Sequence, residues 1–306
     1  MAEHRPSDPL VALLSPTSPV APAPDFSTAL RTRLVEALLI GTPEDPMTAT
    51  PTTPTTPTSI GPALNGRRHG DVSYLTVGVR DAAAARAFYG ALFGWTFTPG
   101  DPSPRSQVGG VRPQVGMAEG RQPGVVLAFR VDDIAAASTR VRAAGGTATE
   151  SVQRPYGLES DCTDDQGIPF YLHEFADGPA QPVGPRGPRN GAAHGDVAYV
   201  SLGVPDLAAA RAFYGAVLGW TFAPGTSEQG NQVEAVAPMT GLWGGGDWTG
   251  ARLAYRVDDI SAAVSQVVAL GGTAGPVAAR PYGLACDDCA DDKGAPFMLL
   301  QLGGAD

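Results

Sequence analysis

Few side chains in this sequence are suited to act on a ligand, and their spacing narrows the set further. Of the four histidines, His4 lies near the N-terminus, and His69 and His194 each immediately precede a β-like run. His69 and His194 read as surface or capping residues, and His4 belongs to the tail. Tyr171 and His173 stand two apart, so on a strand they share one face and can point into one cavity. Tyr74 in DVSYLTVGV shares its face with Thr76, and Tyr199 in DVAYVSLGV shares its face with Ser201. Leu75, Val77 and Val79 take the opposite face. The tyrosine faces are expected to line cavities, because tyrosine supplies contact area and one polar handle. The plainer alternative makes both tyrosines core residues with satisfied hydroxyls.

Other candidates sit in loops. Arg252 offers a charge-assisted donor to a carboxylate if it faces inward. Trp243 and Trp248 in GLWGGGDWTG can stack on a flat organic group. The three glycines between them lack the Lys-Ser/Thr ending of a phosphate loop. Arg154-Pro155-Tyr156-Gly157 and Arg280-Pro281-Tyr282-Gly283 read as turns that hold an Arg/Tyr pair at a pocket rim. The acidic runs Asp161–Asp165 and Asp287–Asp292 do not fit a calcium loop and read as solvated turns. Cys286 and Cys289 form a single CxxC with no second pair, so no zinc or redox role is assigned. The spacings support no Ser–His–Asp array and no paired carboxylates. Tyr74, Tyr171 and His173 remain the candidates for substrate placement or proton transfer.

The elements that position these residues follow from an internal repeat. DVSYLTVGVRDAAAARAFYGALFGWTFTPG from Asp71 recurs from Asp196, with 21 of 30 positions identical, so one domain occurs twice. FRVDDIAAASTRVRAAGGTA and RPYGLESDCTDDQGIPFYL also recur. Within each copy the order strand–helix–strands appears twice. In the first copy it reads as a strand at 72–79, a helix capped by Asp81 and running through Leu92, a strand at 125–131, a helix capped by Asp133 over 134–144, and a last strand at 169–175. The corresponding last strand of the second copy spans 296–301. The expected fold is α+β, with domains at 67–178 and 193–306 joined by a linker at 179–192. Residues 1–66 read as a Pro/Thr-rich tail without a fold, except for one amphipathic helix at about 26–40.

Composition bounds the function. A formal net charge of −10, carried mostly beyond residue 70, argues against nucleic acid and anionic membranes as partners. No apolar run has the length of a signal peptide core or a membrane span, so a cytoplasmic protein is expected.

The motifs V-x-D-x-x-x-A-x-x-F-Y, G-W, V-D-D before an alanine-rich helix and G-G, and D-x-x-G before a final strand resemble the vicinal oxygen chelate superfamily. This is the glyoxalase, bleomycin-resistance and extradiol-dioxygenase group, here in its tandem-domain bacterial form. The resemblance covers roughly residues 70–175 and 195–302. It implies two tandem glyoxalase/bleomycin-resistance-like domains, each made of two paired βαβββ modules. It also implies three metal-ligand positions per domain, which fall here on Tyr74, Val126 and Tyr171, and on Tyr199, Arg252 and Met298. None is a usual divalent-metal ligand, so no metal or other cofactor is expected. The leading expectation is binding of a small organic molecule, a metabolite or antibiotic-like compound. The alternatives are a lyase, isomerase or dioxygenase-type enzyme, and a protein-interaction scaffold. A single chain pairing its own two domains is expected, with a dimer as the alternative.

Overall fold

A computed structural model describes residues 68–100, 105–111, 113–120, 124–176, 191 and 193–303. The tail, its helix and most of the linker expected from the sequence lie outside the described residues.

The first domain begins with β1 (Val72–Val79), α1 (Ala82–Phe93), β2 (Thr96–Gly100), β3 (Arg105–Gly109) and β4 (Gln114–Glu119). Its second module is β5 (Gly124–Arg130), α2 (Ile134–Ala143), β6 (Thr147–Ala148), β7 (Val152–Arg154), β8 (Gly157–Thr163) and β9 (Pro169–Phe175). The second domain repeats this plan. It opens with β10 (Val197–Gly203), α3 (Leu207–Leu218), β11 (Phe222–Pro224), β12 (Gly230–Val233) and β13 (Thr240–Trp243). It closes with β14 (Gly250–Arg256), α4 (Ile260–Ala269), β15 (Thr273–Ala274), β16 (Ala278–Arg280), β17 (Gly283–Ala290) and β18 (Pro296–Leu302).

The helices start where the aspartates put them. Asp81 Oδ1 accepts from Ala83 N at 2.8 Å and Ala84 N at 2.9 Å, satisfying two orphan amides. Gly94 ends α1 in the left-handed conformation, φ 66°, which glycine adopts without a Cβ penalty. Asp206 caps α3 with the same two bonds, and Asp133 and Asp259 cap α2 and α4 with one each.

The two modules of a domain join edge to edge. β1 pairs antiparallel with β5, while β4 and β9 flank them in parallel. The second domain has the same pattern around β10 and β14. Alternation then separates two faces. Leu75, Val77 and Val79 are buried in the main core, as expected of the helix-facing side. Tyr74 and Thr76 are half-buried on the other face, which we call the inner face.

The domains lock together reciprocally. Trp95 Nε1 of the first donates to Gly195 O, and Trp220 Nε1 of the second donates to Gly70 O, both at 2.9 Å. Tyr89 OH donates to Asp291 Oδ2 at 3.3 Å, and Tyr214 OH to Asp164 Oδ2 at 2.9 Å. Phe93 of α1 packs on Tyr255 with ring centroids 4.8 Å apart, and Trp220 meets Phe129 edge-on at 5.3 Å. Each first helix thus helps cover the outer face of the other domain. These contacts correct the expectation of solvated acidic turns. Asp164 and Asp291 are 2% and 4% exposed, because each holds the turn before a last strand and also receives a tyrosine across the interface. No helix among the described residues is long and apolar enough to cross a membrane.

Candidate functional site

On the inner face of the first domain the ladder sets Tyr74, Ala128 and Tyr171 in one row across β1, β5 and β9. Gln114 of β4 lies opposite Tyr74. Tyr74 OH donates to Gln107 Oε1 at 3.0 Å, and Gln114 Nε2 donates to the same oxygen at 3.1 Å. The tyrosine ring reaches over its neighbouring strand at Gly116, where a Cβ would lie 1.8 Å from the Tyr74 hydroxyl. Gly241 makes the same room for Tyr199, whose hydroxyl bonds Gln232 Oε1 at 3.3 Å. Burial pushes the phenols of both tyrosines up from their ordinary range, so both stay protonated.

One step along the sheet, His173 is 4% exposed and engaged on both sides. Its Nδ1 lies 3.2 Å from Ser73 Oγ, and its Nε2 lies 3.3 Å from Glu159 Oε2. Ser73 sits at an irregularity between Val72 and Tyr74 that turns its side chain beneath the face, and Ser73 Oγ also lies 3.1 Å from Ala128 O. Glu159 faces His173 directly across β8 and β9. The carboxylate also receives Arg154 Nη2 at 2.9 Å and the Tyr156 hydroxyl. Hydrogen bonds from His173, Tyr156 and Arg154 hold the Glu159 carboxyl at about 2, against the upward push of burial. An ionised carboxylate only accepts, so His173 Nε2 carries a proton toward it. Ser73 has one proton for two acceptors, Ala128 O and His173 Nδ1. Its hydroxyl orientation is therefore coupled to the charge of the imidazole. Tyr156, Phe175, Tyr74 and Tyr171 ring the histidine with centroids 5.2, 5.8, 6.4 and 6.4 Å away.

The structure thus unites five sequence candidates, Tyr74, Tyr171, His173, Arg154 and Tyr156, and adds Ser73, Glu159, Gln107 and Gln114. The sequence spacings support no such array, and strand pairing is what brings Ser73, His173 and Glu159 together from three strands.

The second domain brings its candidates into a different arrangement. Tyr199, Tyr282 and Met298 pack with Ala254, Ala285 and Leu300 into an apolar inner cluster. Arg252 lies on the inner face opposite Ser201, with its guanidinium 4.4 Å from the centre of the Trp248 ring. Trp243 is half-buried at the end of β13. Arg280 pairs with Asp287 in the β16–β17 hairpin and does not join the cluster. Cys286 and Cys289 are buried, their sulfurs 3.4 Å apart, where the β17–β18 register shifts.

A family model described as a glyoxalase-like domain matches residues 74–173 and again residues 199–300. The chain belongs to the glyoxalase-like domain family. Solved glyoxalase-like folds resemble it over most of its length. One is the Mn(II)-bound glyoxalase from Novosphingobium aromaticivorans, with a TM-score of 0.56 and 17% identity, covering 78% of this chain and 84% of that one. Another is homoprotocatechuate 2,3-dioxygenase from Brevibacterium fuscum, with a TM-score of 0.59 and 15% identity, covering 81% and 84%. At such identities the likeness shows the vicinal oxygen chelate fold, in two tandem domains, and nothing finer. No curated protein sequence matches this chain.

The fold family implies a divalent metal, and the residues at the implied positions do not fit one. Val126 has no donor atom, and Tyr74 holds a protonated phenol that donates to Gln107. In the second domain Arg252 would bring a positive charge to the metal. Among the described residues no three His, Cys, Asp or Glu side chains converge as a ligand set.

Proposed function

We propose that the first domain binds a small organic molecule, metabolite or antibiotic-like, on its inner face without a metal. Tyr74 and Tyr171 form the apolar walls, Gln107 and Gln114 present amides, and His173 with Glu159 and Ser73 forms the polar end. One observation carries this reading. The second domain keeps the same fold with Ala198, Leu300 and Ala285 at the places of Ser73, His173 and Glu159. Buried polar groups are costly unless fully bonded, and an apolar set serves the fold equally well in the same chain. The fold therefore does not require the polar array, which points to a ligand. Arg154 and Tyr156, on the β7–β8 hairpin, hold Glu159 in place at the rim.

The imidazole itself favours a second reading, an acid–base enzyme of the lyase or isomerase type. A histidine bonded to a carboxylate on one nitrogen and facing a hydroxyl on the other is arranged to move a proton.

The test is a thermal-shift screen of the full chain with small planar and carbonyl compounds, followed by calorimetry on the hits and metal analysis of the same protein. Binding at one site, weakened about tenfold or more by Tyr171→Ala, supports the proposal. A stoichiometric divalent metal required for that binding would overturn it.

A further inference from the structure

The inner face of the second domain is covered by its own chain in a way that resembles a bound ligand. Trp248 belongs to the connection between β13 and β14, and its indole lies against Gly203 of β10. A Cβ on Gly203 would meet that ring at 2.5 Å. Arg252 stacks over the same indole, and its Nη1 reaches Asp288 Oδ1 at 3.4 Å. This ion pair is weak, because the Asp288 side chain is 78% exposed whereas that of Arg252 is 20% exposed. Two residues along β14 from Arg252, Ala254 lies in an apolar cluster with Tyr199, Tyr282, Met298 and Leu300.

A ring laid on a bare strand, an arginine stacked over it, and a carboxylate loosely held by that arginine are the parts of a bound aromatic acid. Here Trp248 stands in for the ring and Asp288 for the acid. The first domain has no counterpart, since Val126 stands where Arg252 does and residues 119–123 contain no tryptophan. The covering segment is rich in glycine. Gly244, Gly245 and Gly246 precede Trp248, and Gly250 follows at φ 95°, a conformation open to glycine.

We infer that the second domain binds a planar aromatic carboxylate, its ring replacing the Trp248 indole on Gly203 and its carboxylate replacing Asp288 on Arg252. The inference rests on the reading that inner faces hold small organic molecules. A ligand that unites ring and acid has the advantage over the two residues, because burial of its ring brings the carboxylate to the guanidinium where water is scarce.

Calorimetry of the full chain with 1-naphthoate, and with the neutral 1-naphthalenemethanol for comparison, tests this. Naphthoate is expected to bind one site at least tenfold more tightly than the alcohol. Trp248→Gly, which removes the internal competitor, is expected to tighten naphthoate several-fold, and the smaller ring of Trp248→Phe to tighten it less. Arg252→Gln is expected to erase the preference for the acid. Circular dichroism checks that each variant folds, and Trp248→Phe keeps the test open if the glycine variant does not. Failure of naphthoate to bind the folded Trp248 variants overturns the inference, as does an acid preference that survives Arg252→Gln. None of these substitutions touches the first domain, so such a failure leaves the reading of its site standing.

Discussion

Leu300 occupies in the second domain the strand position that His173 occupies in the first. The ladders leave no ambiguity: Arg130 pairs with His173, and Arg256 pairs with Leu300. Across the next strand, Glu159 faces His173 where Ala285 faces Leu300. Ser73 and Ala198 sit at the same irregularity of their strands. One sequence thus contains the polar and the apolar solution to the same piece of fold. The polar solution has fixed directions, so it constrains whatever lies on it. The apolar one offers only area.

The Glu159 carboxyl gives the array a signature in pH. His173, Tyr156 and Arg154 hold it at about 2, below its ordinary value of 4.5. A depressed folded value contributes stability above the unfolded value, and that contribution disappears as pH falls through the folded one. Calorimetric melting of wild type and Glu159→Gln is therefore expected to show a constant wild-type advantage from pH 7 to about 5. The advantage should shrink from there toward pH 2. An advantage that stays constant down to pH 2 contradicts the array.

The reciprocal tyrosines make the interface between domains measurable. Tyr214→Phe leaves Asp164 Oδ2 without its partner in a buried setting, at an expected cost of ~1–3 kcal/mol. Tyr89→Phe removes the longer bond to Asp291 and is expected to cost less. The two bonds lie in separate contacts, so urea unfolding of the double variant is expected to give nearly the sum. Variants indistinguishable from wild type would mean that these bonds do not hold the domains together.

Gly116 is expected to tolerate no side chain without a shift of the Tyr74 ring. A methyl group there collides with the Tyr74 hydroxyl, so Gly116→Ala must displace the ring and break its bond to Gln107. Overpacking of this kind costs ~1–3 kcal/mol. Adding Tyr74→Phe removes the colliding oxygen and is expected to recover part of that loss in the melting temperature. If the second substitution adds to the damage instead, the tyrosine does not lie over Gly116.

Much of this architecture was legible in the sequence, because the signals were local. Period-two alternation put Tyr74 and Leu75 on opposite faces, Asp81 and Asp133 marked helix starts, and the repeat gave two domains of one fold. The Ser73–His173–Glu159 array was not legible from spacing, since its members lie 100 and 14 residues apart and meet only through strand pairing. One sequence signal does mark it. Aligning the two repeats shows Ser73, Glu159 and His173 all replaced by apolar residues, a correlated change that three unrelated surface positions would not show. The burial of Asp164 and Asp291 was missed for a similar reason: their tyrosine partners come from the other repeat.

The most direct test of the first-domain site is to give it the residues of the second. The triple variant Ser73→Ala, Glu159→Ala, His173→Leu replaces the array with the apolar set that already packs at the equivalent place in this chain. Calorimetric titration with a ligand from the thermal-shift screen is the measurement, made on wild type and on the variant once its melting curve shows a cooperative fold. The expected result is a folded variant whose affinity for that ligand falls at least tenfold. A folded variant that binds as tightly as wild type would show that the array does not serve the ligand, and the central claim would fall.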